Sequence, residues 1–130
     1  MKIFYDHKIF CKQEMGGPSK YFFQLSNHLN KINVNAKIFA GFHFNKYLKN
    51  HEIINNIGFE KKFFFSKYLV NTKIVPKINL FNEIINANFL KSFNPDVIHS
   101  TYYDGSFNTK NKPLVITVVD LIHEIFYKSY

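Results

Sequence analysis

The chain lacks arginine and tryptophan, and its 130 residues include one cysteine, four prolines and five glycines. Because Cys11 stands alone, an internal disulfide and any metal site built on paired cysteines are excluded, and a reducing cytoplasm is the simplest compartment. No apolar run is long enough to span a bilayer. Asp6, His7 and Lys8 interrupt the N-terminus where a signal peptide needs its apolar segment. The sequence therefore predicts a cytoplasmic protein, soluble or peripheral to a membrane.

Positive charge is in excess, with 17 lysines against 9 acidic residues and a formal net charge of +8. The abundance of Asn, Lys, Ile and Phe is typical of a low-GC coding bias, so part of this charge reflects codon usage. A basic balance favours nucleic acid, anionic lipid or phosphorylated ligands. The lysines are dispersed, which argues against nucleic acid. Lysines and aromatics interleave in "FEKKFFFSKYL" (59–69), either a segment lying on an acidic membrane or a solvated loop over buried Phe.

Hydrophobic periodicity predicts alternating strands and helices. Continuous apolar runs predict strands at 2–5, 36–42, 96–100 and 113–122, the last two buried on both faces. A helix is predicted from the first turn at Pro18 to the asparagines at 33–35, and another from Asn79 as N-cap to Pro95. Residues 43–77 are predicted to be irregular, with one short helix. This order predicts one α/β domain with a mainly parallel sheet.

A glycine pair, Gly16 and Gly17, precedes the helix that starts at Pro18. In an α/β sheet this first loop lies at the ligand-binding edge, where glycine lets backbone approach a ligand and a helix N-terminus attracts an anion. A phosphate group is the ligand expected at such a loop, although a tight turn without any ligand gives the same pattern. The G-x-G-x-x-G motif is absent and Lys20 lacks the P-loop spacing, which argues against an ordinary dinucleotide or ATP site.

Polar residues also follow the third and fourth predicted strands. The segment "VIHSTYYDG" carries His99, Thr101, Tyr102, Tyr103 and Asp104, and "VVDLIHE" carries Asp120, His123 and Glu124. Any one of these residues alone is explained by a structural role. Their convergence with the glycine loop at one edge of the sheet favours a binding crevice.

Metal and thiol chemistry have little support in the pattern. The segment "HEIFY" carries Tyr127 where a zincin helix needs its second histidine, and no spacing rule selects a site from His99, Asp120 and His123. A buried free thiol explains Cys11 more simply than a nucleophile does. No metal or cofactor is therefore expected.

Three blocks of the chain resemble family 4 glycosyltransferases of the GT-B fold. The segment "FYDHKIFCKQEMGGPSKYFFQL" resembles the family's opening, "PDVIHSTYYDGSF" its D-V-F-H-x-T-Y-Y segment, and "KPLVITVVDLIHEIF" its T-V-H-D-L-I-H-E-x-F segment. The resemblance is weakest over residues 43–77. It implies a Rossmann-like, mainly parallel sheet flanked by helices, as the incomplete N-terminal half of a GT-B enzyme. Residues 1–130 would form a partial N-terminal domain, without the C-terminal donor-binding domain.

The activity implied by this resemblance is retaining transfer of a sugar from a nucleotide-sugar to a glycan or lipid-linked acceptor, in cell-surface polysaccharide synthesis. The N-terminal half would hold mostly the acceptor, and no metal would be needed. Carried over residue by residue, the resemblance assigns Gly16 and Gly17 to the donor diphosphate, with Lys20 at a position that is usually Arg. His99, Tyr102, His123 and Glu124 are the other expected substrate-binding residues, and Asp120 is the candidate catalytic residue.

Two departures from the family pattern favour an alternative. Val119 stands where relatives often carry His or another polar ring before the Asp, and the expected donor-binding half does not follow Tyr130. The chain alone is therefore expected to be inactive, as a fragment, a truncated copy or one piece of a split enzyme with a separate C-terminal half. The alternative is a degenerate, non-catalytic binding module or pseudogene product. A nucleic-acid or membrane-surface protein defined by charge alone ranks last.

Overall fold

The computed structural model describes residues 1–48, 75–103, 111–120 and 125. Its elements, in chain order, are β1 (Lys2–Tyr5), α1 (Lys8–Lys12), α2 (Gly17–Lys31), β2 (Asn35–Ile38), α3 (Val75–Phe93), β3 (Val97–Ser100) and β4 (Leu114–Ile116). The strands form one four-stranded sheet in the order β2-β1-β3-β4, and every neighbouring pair is parallel. The predicted α/β class with a parallel sheet is confirmed, and the arrangement is consistent with a Rossmann-like fold.

Helices cover both faces of the sheet. Because successive side chains of a strand point to opposite faces, Tyr5 and Phe4 of β1 belong to different cores. Tyr5 packs with Phe22 of α2 in one buried cluster, whereas Phe4 packs with Phe89 of α3 in the other. The sheet is thus the middle layer between α2 and α3, and β1 at its centre contributes to both cores.

Two predicted boundaries were wrong, namely the end of β2 and the start of α3. Strand β2 ends at Ile38 instead of residue 42, and Gly41 has a φ of 54°, which turns the chain out of extended conformation. Helix α3 begins at Val75, so Asn79 lies inside the helix and is not its N-cap. Pro76 is the second residue of α3, a position where its missing N–H costs no helical hydrogen bond.

Helix α1 was not predicted. It has five residues, too short to show a helical period, and it buries Lys8, Ile9, Phe10 and Cys11. It lies between β1 and the glycine pair, so the glycines do not follow the first strand directly. Cys11 is buried, as expected for a structural free thiol.

Strand β4 is shorter and more exposed than predicted. It spans Leu114–Ile116 instead of 113–122, and all three of its side chains are exposed. Residues 117–120 are described but do not form strand, and residues 121 and 122 lie outside the described residues. Within the described part of the chain β4 is bonded only to β3 and forms the edge of the sheet, so the expectation that it is buried on both faces was wrong.

Candidate functional site

The carboxyl ends of β1, β3 and β4 lie side by side at one edge of the sheet. Tyr5 is paired with His99 between β1 and β3, and Ser100 is paired with Ile116 between β3 and β4. The expectation that these three strand ends meet is therefore confirmed. Ligands of open parallel sheets bind at this edge, so it is where a functional site is expected.

Asp6, immediately after β1, joins the ends of the two central strands. Its carboxylate is fully buried and accepts hydrogen bonds from the Lys8 N–H at 3.0 Å, the Ser100 hydroxyl at 3.0 Å and the Thr101 N–H at 3.2 Å. The Thr101 hydroxyl also donates to Asp6, and it accepts the Ile9 N–H at 3.1 Å. One carboxylate thus ties together β1, the start of α1 and the end of β3.

The environment of Asp6 disfavours its charged form. Burial raises the pKa of the Asp6 carboxyl, while the hydrogen bonds from Thr101 and Lys8 and the charge of Lys8 act in the opposite direction. The single hydroxyl proton of Ser100 faces two acceptors, the Asp6 carboxylate at 3.0 Å and the Tyr102 carbonyl at 2.7 Å. A protonated Asp6 would donate to Ser100 and leave that hydroxyl proton for Tyr102.

His99 lies inside the packing at this edge. Its ring is buried, with ring centroids 5.1 Å from Tyr5 and 5.3 Å from Phe22 of α2. Its Nε2 forms a 2.8 Å hydrogen bond with the Thr117 hydroxyl beyond β4. Burial lowers the pKa of His99, so the ring acts as a neutral hydrogen-bonding group. These contacts join β1, α2 and the segment after β4.

Two tyrosines after β3 reach neighbouring segments. Tyr102 is half-buried, and the Lys12 ammonium of α1 lies 4.2 Å from its ring centroid, a cation–π contact. The Tyr103 hydroxyl accepts hydrogen bonds from the N–H groups of Val119 at 2.7 Å and Asp120 at 3.4 Å. Tyr103 therefore fixes the backbone on which the exposed Asp120 side chain is carried.

Gly16 lies against the side chain of Gln13, a residue that the sequence analysis did not single out. Gly16 is the extended N-cap of α2, and a Cβ placed there would lie 2.4 Å from Gln13 Oε1. That oxygen accepts the Ser19 N–H at 3.3 Å, so Gln13 satisfies one of the donors at the start of α2. In contrast, a Cβ on Gly17 would meet no heavy atom within 4 Å, and Lys20 is exposed.

The remaining predicted site residues are not placed at this edge by the structure. Asp104, His123 and Glu124 lie outside the described residues, as does the basic aromatic segment 59–69. Asp6 was missed as a site residue, although a carboxylate directly after a central strand in "YDH" is a signal that could have identified it. Gln13 has no such signal.

Residues 1–48, 75–103, 111–120 and 125 contain no cluster of three or more His, Cys, Asp or Glu side chains that could hold a metal ion. No helix within these ranges is long and apolar enough to cross a membrane.

Comparisons with known proteins returned nothing. No family model, no curated protein and no solved structure matches the chain.

Proposed function

We propose that the chain is the N-terminal, acceptor-side part of a retaining glycosyltransferase. The enzyme would move a sugar from a nucleotide-sugar donor to a glycan or lipid-linked acceptor in cell-surface polysaccharide synthesis. In such an enzyme the C-terminal half would bind most of the donor nucleotide, and residues 1–130 would supply mainly the acceptor side. It would work in the cytoplasm at the inner face of the membrane.

The observation that carries this proposal is the convergence of three strand ends at one edge. Each of the three blocks that resemble family 4 glycosyltransferases contains one of these ends, namely those of β1, β3 and β4. Blocks at positions 4–25, 95–107 and 112–126 are far apart along the chain but adjacent in the sheet. Such convergence supports a shared ligand site at this edge.

In this proposal the residues divide by chemistry. Gly17 and Lys20 at the N-terminus of α2 would meet the donor diphosphate, because N–H groups and an ammonium favour an anion there. The half-buried Tyr102 and the exposed Asp120 would face the transferred sugar or the acceptor. His99, whose ring is held by Tyr5 and Phe22, would position the strand ends more than it would contact substrate.

Amide NMR of the labelled chain tests the diphosphate contact. Titration with pyrophosphate and with UDP-, GDP- and ADP-sugars should shift the amide resonances of Gly17, Ser19 and Lys20 in a saturable way. Lys20→Ala should weaken the effect, whereas Lys31→Ala, exposed on the same helix, should not. Gly17→Ala should weaken it too, because its methyl group enters space that is open in the protein. If no ligand gives a saturable shift, or if the two lysine variants behave alike, the proposed diphosphate contact is wrong.

A non-catalytic binding module is the second candidate, and the position of Gln13 favours it. The Gln13 side chain already accepts the Ser19 N–H, a donor at the helix end where a diphosphate would bind. In a module of this kind the chain would bind a glycan acceptor and ignore the nucleotide. Shifts around Tyr102 and Asp120 with oligosaccharides, without any around Gly17 with diphosphates, would select this alternative.

A further inference from the structure

Helix α3 carries a patch of large apolar side chains on the side facing away from the sheet. Leu80, Phe81 and Ile84, here called the α3 stripe, are 63, 46 and 57% exposed. The opposite side of α3 is buried through Phe89 and Phe93, which pack in the core beneath the sheet. Residues four apart share a face of a helix, so Leu80 and Ile84 lie together, with Phe81 beside them.

The stripe extends beyond the helix. The ring centroids of Phe42, after β2, and Phe81 lie 5.1 Å apart, so the apolar surface continues onto a neighbouring loop. Single exposed apolar side chains are ordinary on protein surfaces, whereas contiguous ones mark a surface that binds something. The question is therefore which partner fits this one.

We propose that the α3 stripe docks on the surface of an anionic membrane. The chain has a net charge of +8, which attracts it to negatively charged lipid. Lys91 is exposed seven residues after Ile84, and this spacing of two helical turns puts it on the same face. A lysine there can extend its ammonium to lipid headgroups while the apolar side chains enter the interface. Glu83, the one acidic residue of α3, lies beside the stripe.

The structure also favours an orientation in which α3 lies flat on the membrane, and it disfavours a second copy of the chain as the partner. Because Phe89 and Phe93 anchor the other side of α3 in the core, the helix can lie in the plane of the interface with only the stripe immersed. A second copy of the chain is disfavoured, since two bodies of charge +8 repel each other. This inference deepens the proposed location at a membrane and does not depend on sugar transfer.

Vesicle co-sedimentation of the full chain, without any nucleotide-sugar, tests the docking. The chain should bind phosphatidylserine–phosphatidylcholine vesicles and not pure phosphatidylcholine, and added salt should weaken the binding. The double variant Leu80→Ser/Ile84→Ser should lose about tenfold or more in affinity, because both side chains lose their apolar contact. Lys91→Glu should weaken binding and Glu83→Gln should strengthen it.

Ile32→Ser is the matched control, because Ile32 is 69% exposed at the end of α2 and outside the stripe. It should bind vesicles like the wild-type chain, and circular dichroism should show that all variants are folded. The inference is overturned if the double variant binds like wild type, or if pure phosphatidylcholine binds equally well. It also fails if sedimentation velocity shows a dimer that the double variant abolishes. Loss of the diphosphate contact alone would leave vesicle binding intact, so the two proposals fail independently.

Discussion

The side-chain amide of Asn82 pairs with both backbone groups of Phe42. Asn82 Oδ1 accepts the Phe42 N–H at 2.8 Å, and Asn82 Nδ2 donates to the Phe42 carbonyl at 2.9 Å. The same Nδ2 lies 3.4 Å from the sulfur of Cys11, which itself donates to the Phe42 carbonyl at 3.0 Å. The Asn82 side chain on α3 thus meets the backbone of the loop after β2 as a neighbouring strand would. Through Cys11 it also connects that loop with α1.

Replacement of Asn82 should be costly. Asn82→Ala leaves the N–H of Phe42 without this acceptor, and an unmet backbone group inside a protein costs about 1–3 kcal/mol. We expect urea unfolding to show a loss of about 2 kcal/mol or more. Asn88→Ala, exposed on the same helix, should change stability by less than about 0.5 kcal/mol. Equal effects of the two substitutions would contradict this role of Asn82.

Gly41→Ala should also destabilise the loop. Gly41 has a φ of 54°, and an added Cβ would lie 2.3 Å from Asn82 Oδ1. The left-handed conformation alone costs a residue with a Cβ about 1–2 kcal/mol. Gly17→Ala is the control, since its methyl group meets nothing within 4 Å. In the Asn82→Ala background the cost of Gly41→Ala should fall, and additive effects in this double-mutant cycle would show that the two sites are not coupled.

The carboxyl of Asp6 should give the fold a distinctive dependence on pH. Its pKa is raised in the folded protein, so its stabilising contribution is full below the unfolded-state pKa of about 3.9 and is lost as pH rises through the folded pKa. Asparagine does not titrate, so residue 6 of the Asp6→Asn variant contributes to the free energy of unfolding by an amount that is independent of pH. The free energy of unfolding of this variant, measured relative to that of the wild type, should therefore increase as pH rises. If the relative stability of the variant decreased as pH rises, the hydrogen bonds to Asp6 would affect its pKa more than its burial does.

The buried His43 should make the fold less stable as pH falls, which is the opposite of the effect of Asp6. Burial lowers its pKa to about 4, so its contribution is full above the unfolded-state pKa of about 6.5 and is lost as pH falls towards about 4. The difference amounts to about 3 kcal/mol across this window. His43→Gln should remove that part of the acid sensitivity in urea unfolding. NMR of the ring protons should show His43 still neutral at pH 5, and protonation near pH 6.5 would contradict the burial argument.

Gln13→Ala separates the helix-capping role of Gln13 from the diphosphate contact. Loss of the hydrogen bond to the Ser19 N–H should cost about 1 kcal/mol in the free energy of unfolding. Gln24→Ala, exposed further along α2, is the matched control and should be nearly silent. If the N-terminus of α2 binds a diphosphate, Gln13→Ala should bind pyrophosphate more tightly in the amide titration, because a competing acceptor has gone. Weaker binding would mean that Gln13 contacts the anion itself.

The sequence predicts those parts of the fold whose signals are local. β1 and β3 are short apolar runs and α2 has proline in its first turn, so each was located closely. α1 is shorter than the period that would reveal it. The exposed state of β4 depends on which elements lie beside an edge strand, and its own three residues do not carry that information.

The candidate site shows the same division. That polar strand ends meet at one edge follows from the topology of α/β sheets, so the sequence could predict where His99 and Asp120 would be carried. The position of Asp6 directly after a strand marks it as a candidate, but its contacts are with Ser100 and Thr101, which lie 94 and 95 residues away. No local pattern records those contacts. The space taken by Gln13 above Gly16 is a matter of side-chain packing, which composition and spacing do not encode.

The central position of β1 has a consequence for how the protein is made. Tyr5 and Asp6 leave the ribosome early, but Ser100 and Thr101, which complete the contacts of that strand end, are added 94 and 95 residues after Asp6. At synthesis rates of ~5–20 residues per second, β1 waits about 5–20 s for β3. During that interval Phe4 and Tyr5, both fully buried in the finished fold, lack the neighbours that β3 supplies. Although β2 can pair with β1 early, the other side of β1 stays uncovered during that interval, and the nascent chain is open there to chaperones and to aggregation.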